Sequence, residues 1–256
     1  MTPGHETLLT YDGVAVPELC ARAGATHVVA LERCGSTMDV AHEQAAAGAP
    51  HGTVIVAEQQ EAGRGRTGKS WVSPAGAGVW ASVLLRPGNA GQGGVLSLRV
   101  GLELAERLDA FASSPVQLKW PNDLFVEGRK LAGILTEARW RGDQTDWIVV
   151  GVGVNVRLPA PDVAAASLGA TASCAEVLVA VVQAVLSAGV APSALSDDEM
   201  RRYAERDLTV DRDIVAPLVG TVLGITRGGG LRVHSGVGEA VAVAGSLVFR
   251  FSDGAV

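Results

Sequence analysis

Gly63-Arg64-Gly65-Arg66-Thr67-Gly68-Lys69-Ser70-Trp71-Val72-Ser73-Pro74-Ala75-Gly76-Ala77-Gly78 is the stretch whose reading decides the fold. Residues 63–70 fit G-x-x-x-x-G-K-[ST]. That pattern makes a P-loop only when a strand leads in and a helix opens directly after the lysine. The strand is there, Thr53-Val54-Ile55-Val56-Ala57. The helix is not. Pro74, Gly76 and Gly78 forbid a stable one. Val79-Trp80-Ala81-Ser82-Val83-Leu84-Leu85 then reads as a buried strand. No helix dipole would face a phosphate, so the P-loop match is a coincidence of pattern. The chemistry of the loop remains. Glycines let backbone N–H groups converge on one centre, and such concave patches bind anions. Arg64, Arg66 and Lys69 add charge-assisted donors, and Trp71 offers a flat face. A solvated basic loop would have the same composition.

Upstream, residues 26–31 read as a strand and Gly35-Ser36-Thr37 as a helix start. Ser36 or Thr37 can cap it, with Asp39 in the first turn. A shorter helix is expected within 11–24, after Pro17 and ended by Gly24. Downstream, a helix from about Gly94 to Phe111 carries Val95, Leu98, Leu102 and Leu108 on one face. Residues 116–120 form a short strand, turned by Pro121-Asn122-Asp123. Residues 124–126 and 130–137 pair as a hairpin, and 146–155 is a strand apolar on both faces. These strands come mostly as neighbours, with few helices between. The expected class is α+β, a mixed or antiparallel sheet with helices on one side. Two further helices are expected over about 173–188 and 197–206. From Asp213 short strands alternate with glycines, which suggests a small β-barrel. The expected domains are 1–207 and 208–256, the second too small to be stable alone and so packed on the first.

The chain has 256 residues, a net charge of -6 and 48% hydrophobic residues, enough for a sizeable core. A cationic loop in an acidic chain suits a small anionic ligand. Nucleic-acid binders carry a broad basic face instead. No apolar run reaches the ~18 residues of a membrane span. Met1-Thr2-Pro3-Gly4-His5-Glu6 lacks the parts of a signal peptide. Cys20, Cys34 and Cys174 have no metal spacing and read as reduced thiols. His5, His27, His42, His51 and His234 are scattered, which argues against structural zinc. The expectation is a cytoplasmic protein.

Three more stretches carry chemistry. In Lys119-Trp120-Pro121-Asn122-Asp123, Lys119 can hold a phosphate and Asp123 can hold Mg²⁺, although an ordinary turn has the same residues. In Lys130-Leu131-Ala132-Gly133-Ile134-Leu135, a lysine opens an apolar strand, where it can meet a ligand or snorkel to solvent. In Gly151-Val152-Gly153-Val154-Asn155, glycines on one face leave room for a ligand or a packed helix.

Together and in this order the four stretches resemble the biotin–protein ligases. The family's G-R-G-R-x-G-[RK]-x-W is matched by residues 63–71, its K-W-P-N-D by 119–123, its K-x-x-G-I-L by 130–135 and its G-x-G-x-N by 151–155. Ser36-Thr37 matches the start of its S-T-N, where Met38 stands in place of the usual asparagine. The resemblance covers about residues 27–250. It implies a catalytic domain like that of class II aminoacyl-tRNA synthetases and an SH3-like C-terminal barrel. Residues 1–27 are too few for a winged helix-turn-helix, so the ligase-only class is expected, as a monomer or homodimer.

The resemblance further implies a two-step reaction using ATP and Mg²⁺. Biotin is activated as biotinyl-5′-AMP, then passed to a lysine on the biotin carboxyl carrier domain of a carboxylase. Ser36, Thr37, Gln60, Gly63, Arg64, Gly65, Lys130, Gly133 and Gly151 would hold biotin, with Gly153 also in the floor. Arg66, Lys69, Trp71, Lys119, Asn122 and Asn155 would hold the nucleotide. Lys130, Arg66, Asp123 and Lys119 would be catalytic, and Asp123 would hold Mg²⁺ or orient the incoming lysine. The loop 60–72 is expected to be mobile when empty, for want of apolar contacts of its own. A lipoate-type ligase and a non-catalytic biotin sensor remain alternatives.

Overall fold

Strands that are apolar on both faces need cover on both faces, and this chain supplies it unequally. The computed structural model describes residues 6–86, 95–157, 165–189 and 192–250. The chain opens with β1 (Thr10–Tyr11), β2 (Val14–Ala15) and α1 (Val16–Ala23). Then come β3 (His27–Cys34), α2 (Thr37–Ala46), β4 (Thr53–Gln60), a single 3₁₀ turn at Arg66–Gly68, and β5 (Gly78–Leu85). The middle of the chain is α3 (Leu96–Leu108), β6 (Gln117–Lys119), β7 (Asp123–Val126), β8 (Arg129–Arg141) and β9 (Gln144–Asn155). Two helices, α4 (Cys174–Gly189) and α5 (Asp197–Arg206), lead to β10 (Asp213–Ala216), β11 (Gly220–Ile225), β12 (Leu231–Ser235), β13 (Gly238–Ala242) and β14 (Val248–Phe249).

The expected 11–24 helix is shorter than its stretch. Asp12 and Gly13 both take positive φ, 48° and 78°, and turn β1 into β2 before the helix begins. The position of Gly94 in the expected 94–111 helix lies outside the described residues.

The central sheet runs β3-β4-β5-β9-β8-β7-β6. β3 and β4 are parallel, because α2 returns the chain to the start of β4. Every other neighbouring pair is antiparallel. The sheet is therefore mixed and the class α+β, as expected.

The helices are not all on one side. Val54, Val56, Val83, Leu85, Val150, Val152 and Val154 join α1, α3, α4 and α5 in the large core. Alternate residues face the other way. Ile55, Ala57, Leu84 and Val149 form a second, smaller core with Met38, Val40, Ala41 and Ala45 of α2. The correction has a plain cause. All of β5 is buried, so its second face also demands a partner, and α2 covers only part of it. Ser36 caps α2, its Oγ accepting from Met38 N, and a capping box of Ser196 and Glu199 starts α5.

Gly78 begins β5 opposite Asn155 of β9. A Cβ there would collide with the Val154 carbonyl oxygen and the Trp80 ring. Gly78→Ala is expected to cost about 1–3 kcal/mol of stability. Urea unfolding measures it, and an unchanged midpoint would show that both the β9 backbone and Trp80 give way freely.

The C-terminal strands form a second, antiparallel sheet, β13-β12-β11-β10-β14. Among the described residues its edge strands β13 and β14 are not paired with each other, so the closed barrel that the sequence suggests is not formed by these strands. The last strand has only two residues and attaches to β10 alone. The sheet is fastened to the main body. Trp120 Nε1 donates to Gly229 O at 2.9 Å, Leu208 N to Leu118 O at 3.0 Å, and Leu195 N to Arg227 O at 2.9 Å. Among the described residues no helix is long and apolar enough to cross a membrane.

Candidate active site

Beyond α2 the second face of the sheet has few side chains. Gly133 of β8 is paired with Gly153 of β9, and Leu135 with Gly151. Over these glycines lies a cleft of about 350 Å³, a size suited to a small ligand. Its walls are the start of α2, the glycine–arginine loop, the turn 119–123, Lys130, and Ser246 and Leu247 from the C-terminal region.

The glycines make room for the protein's own side chains as well. A Cβ on Gly153 would lie 2.6 Å from the Trp71 indole, and one on Gly133 would lie 3.0 Å from it. On Gly151 it would meet Met38 Sδ at 2.5 Å. Trp71 and Met38 thus stand on the glycine floor. Trp71 packs edge-on against Trp80, ring centroids 6.4 Å apart, and its Nε1 is buried without a hydrogen-bond partner among the described residues.

The loop is accordingly built rather than loose. Gly65 N donates to Lys69 O at 2.7 Å, Trp71 N to Gly63 O at 2.8 Å, and Arg64 bridges to Ser70. Thr67 takes φ 55° and Gly68 φ 76° to close the turn. The expectation that the loop lacks apolar contacts is corrected by Trp71, which anchors it. Charge fastens it too. Arg64 Nη1 reaches both oxygens of Asp39 at 2.7 Å, and Arg66 Nη1 donates to Asn122 Oδ1 at 3.0 Å.

One end of the cleft is neutral and already wired. Gln60 Oε1 accepts from Thr37 N at 2.9 Å and from Thr37 Oγ1 at 3.1 Å, and Gln60 Nε2 donates to Ser73 Oγ at 2.8 Å. Thr37 Oγ1 and Ser82 Oγ lie 2.8 Å apart. These bonds fix the rotamers of Thr37 and Gln60 before any ligand arrives.

The other end is cationic. Arg64, Arg66, Lys69, Lys119 and Lys130 line the cleft against a single carboxylate, Asp123. Such one-signed walls concentrate an anionic ligand. Lys130 Nζ lies 2.7 Å from Asp123 Oδ1 and 5.2 Å from the Trp71 ring centroid. Burial pulls the Lys119 pKa down. Asp123 opposes this, while Lys130 and Lys69 push it further down. Asn122 is pinned between strands, its Nδ2 donating to Ile134 O at 2.8 Å.

Most residues expected at the site converge here. Two lie off the cleft wall. Gly63 is tight against Trp71 O and Ser73, where any side chain would clash, so it shapes the loop's base. Asn155 is buried and its Nδ2 donates to Lys130 O at 3.4 Å, so it sets the backbone under Lys130. Two residues outside the predicted set also shape the site: Ser82, a fully buried hydroxyl in an apolar strand, and Asp39, the partner of Arg64. Ser82 had a signal, a polar residue inside a run of apolar ones. The Asp39 contact had none.

The donor set can be tested against Mg²⁺. No cluster of three or more His, Cys, Asp or Glu occurs among the described residues. Asp123 Oδ1 is buried, with the Lys130 ammonium 2.7 Å away. One carboxylate with spare acceptor capacity suits a cation whose other ligands are phosphate and water.

Comparison with known proteins gives a consistent picture. Residues 30–155 match the model of the biotin/lipoate A/B protein ligase family. The chain is 37% identical over 137 residues to the bifunctional ligase/repressor BirA of Bacillus spizizenii, a match over 53% of this chain and 42% of that protein. It is 32% identical over 207 residues to a biotin–[acetyl-CoA-carboxylase] ligase of Paracoccus denitrificans, covering 77% of this chain and 83% of the relative. The fold superposes on biotin protein ligase from Aquifex aeolicus in complex with biotin and ATP, with a TM-score of 0.73 at 24% identity, over 89% of this chain and all of that one. With the cleft, its motifs and these matches together, the chain belongs to the biotin/lipoate A/B protein ligase family and has the fold of a biotin protein ligase.

Proposed function

We propose that this protein is an ATP-dependent biotin–protein ligase that forms biotinyl-5′-AMP and transfers biotin to a lysine of a carboxylase carrier domain. The observation that carries the reading is the polarity of the cleft. A wired neutral end (Ser36, Thr37, Gln60) shares the cleft with Arg66, Lys69, Lys119 and Lys130, against one lining carboxylate, Asp123. Biotin has a neutral bicyclic head and an anionic tail, and its partner in the first step is a triphosphate.

In this reading the biotin carboxylate attacks the α-phosphorus of ATP and pyrophosphate leaves. The carrier amine then attacks the acyl carbon, and AMP leaves. Both steps gather negative charge on oxygen, where fixed cations stabilise the transition state most. Lys130 bridges carboxylate and α-phosphate. Arg66, Lys69 and Lys119 hold phosphate oxygens, and Trp71 flanks the ligand. Asn122 holds Arg66 in place, and Asn155 holds the Lys130 backbone. Asp123 would hold Mg²⁺, which when bound neutralises phosphate charge. The same reading divides the chain into a catalytic domain, 1–207, and an SH3-like module, 208–256.

The test is mass spectrometry of the protein mixed with ATP, Mg²⁺, and either biotin or lipoate. Biotinyl-AMP is expected with biotin alone. A lipoyl adenylate would redirect the reading to the other branch of the family, and no adenylate from either acid would end it.

A further inference from the structure

Lys119 needs something to hold it. Its ammonium makes no ion pair among the described residues. It is half-buried at the end of β6, and Lys130 and Lys69 are close enough to disfavour its charge. A long, repelled side chain in that position would ordinarily turn out to solvent. Two aromatic rings prevent this. The Phe125 ring, on β7, has its centroid 5.5 Å from Lys119 Nζ. The Phe249 ring, on β14, lies closer, at 5.0 Å. An ammonium at such distances is drawn to the ring face, more strongly where water is scarce.

The second ring comes from the C-terminal sheet. Phe249 pairs with Ile214 of β10, and the preceding Ser246 and Leu247 line the cleft itself. The Arg212 guanidinium lies 4.9 Å from the same Phe249 ring. The sheet therefore reaches the cationic end of the cleft through a specific side chain.

We infer that Phe249 is a positioning residue, which with Phe125 cages the Lys119 ammonium at the nucleotide end of the cleft and makes the C-terminal sheet a working part of the site. The inference rests on the proposed ligase reading, because it takes Lys119 as a phosphate holder. Lys119 acts on the ligand directly and Phe249 acts through it.

The experiment uses the full chain and follows pyrophosphate release with biotin and ATP. Phe249→Leu keeps apolar bulk on β14 and removes the ring face. It is expected to raise the KM for ATP about tenfold, with biotin affinity and melting temperature close to wild type. Phe249→Trp should restore the KM, since an indole face holds a cation at least as well. In a Lys119→Met background Phe249→Leu should add nothing further, since the group it positions is gone. Equal KM values for Phe249→Leu and Phe249→Trp would overturn the inference, and so would full additivity with Lys119→Met. Should Phe249→Leu melt early, Phe125→Leu on the main sheet decides. A wild-type KM there removes the cage, and a raised one supports it. If the wild type itself makes no biotinyl adenylate, the ligase reading has failed rather than the cage.

Discussion

Lys130→Ala should slow adenylate formation by roughly 10²–10³-fold, the range seen when one preorganised donor is taken from a developing oxyanion. The backbone at Lys130 is fixed from two sides, its carbonyl accepting from Ala166 N at 2.8 Å and from Asn155 Nδ2 at 3.4 Å. Its ammonium is held between Asp123 and the Trp71 ring, so it costs little reorganisation when charge appears. The substitution does two things at once. It removes a cation, and it strands the Asp123 carboxylate in a cleft meant for anions. The double variant Lys130→Ala with Asp123→Asn, read against Asp123→Asn alone, separates them. If the stranded carboxylate causes the loss, the double variant is no slower than Asp123→Asn. If Lys130 stabilises the transition state, it is slower than Asp123→Asn by the same large factor. Single-turnover pyrophosphate release is the measurement, and a wild-type rate in Lys130→Ala would remove the lysine from the mechanism.

The fold was readable wherever burial leaves a strong pattern. Residues 78–85 are apolar apart from Ser82 because β5 is buried on both faces, and no helix competes with that run after Pro74. The same property hid the second layer. An all-apolar strand does not say which helix covers which face, so the placement of α2 opposite the others was illegible from periodicity. The Asp12-Gly13 turn was legible by its chemistry and was masked by the helix that follows it. β14 was not legible at all, since a strand of two residues has no period.

The site divides along the same line. Short stretches with concentrated chemistry, such as 63–71 and 119–123, announced themselves. Contacts between distant residues did not. Nothing near Arg64 marks Asp39 as its partner, and nothing near Lys119 points to Phe249, far along the chain. Alternating Gly151 and Gly153 mark a strand face short of side chains. What stands on that floor was visible only in three dimensions, as Trp71 and Met38.

That floor gives the other large expected effect. Gly153→Val puts a branched side chain where the Trp71 indole lies, since even a Cβ there falls within 2.6 Å of the ring. Valine suits a strand, so β9 should keep its pairing with β5 and β8. The indole must leave instead. With it go the edge contact to Trp80 and the contact to Lys130. The loop then keeps only its polar fastenings, and the groove is partly filled. Adenylate formation should fall by at least about 10²-fold, as misplacement of reacting groups by an ångström can cost that much. The melting temperature should change little. Trypsin should cut after Arg64 or Arg66 faster than in wild type, because the anchor that holds those residues down is gone. Gly151→Ala is the internal comparison. Its new methyl meets the thioether of Met38, a flexible chain that can swing aside, so its effect should be small. Equal losses from both variants would mean that any bulk on β9 blocks the ligand directly, and that Trp71 is a bystander. A Gly153→Val protein that unfolds would mean the glycine serves packing of the sheet. Loss of activity with faster cleavage, in a protein that melts normally, is the outcome that makes Trp71 the keel of the loop.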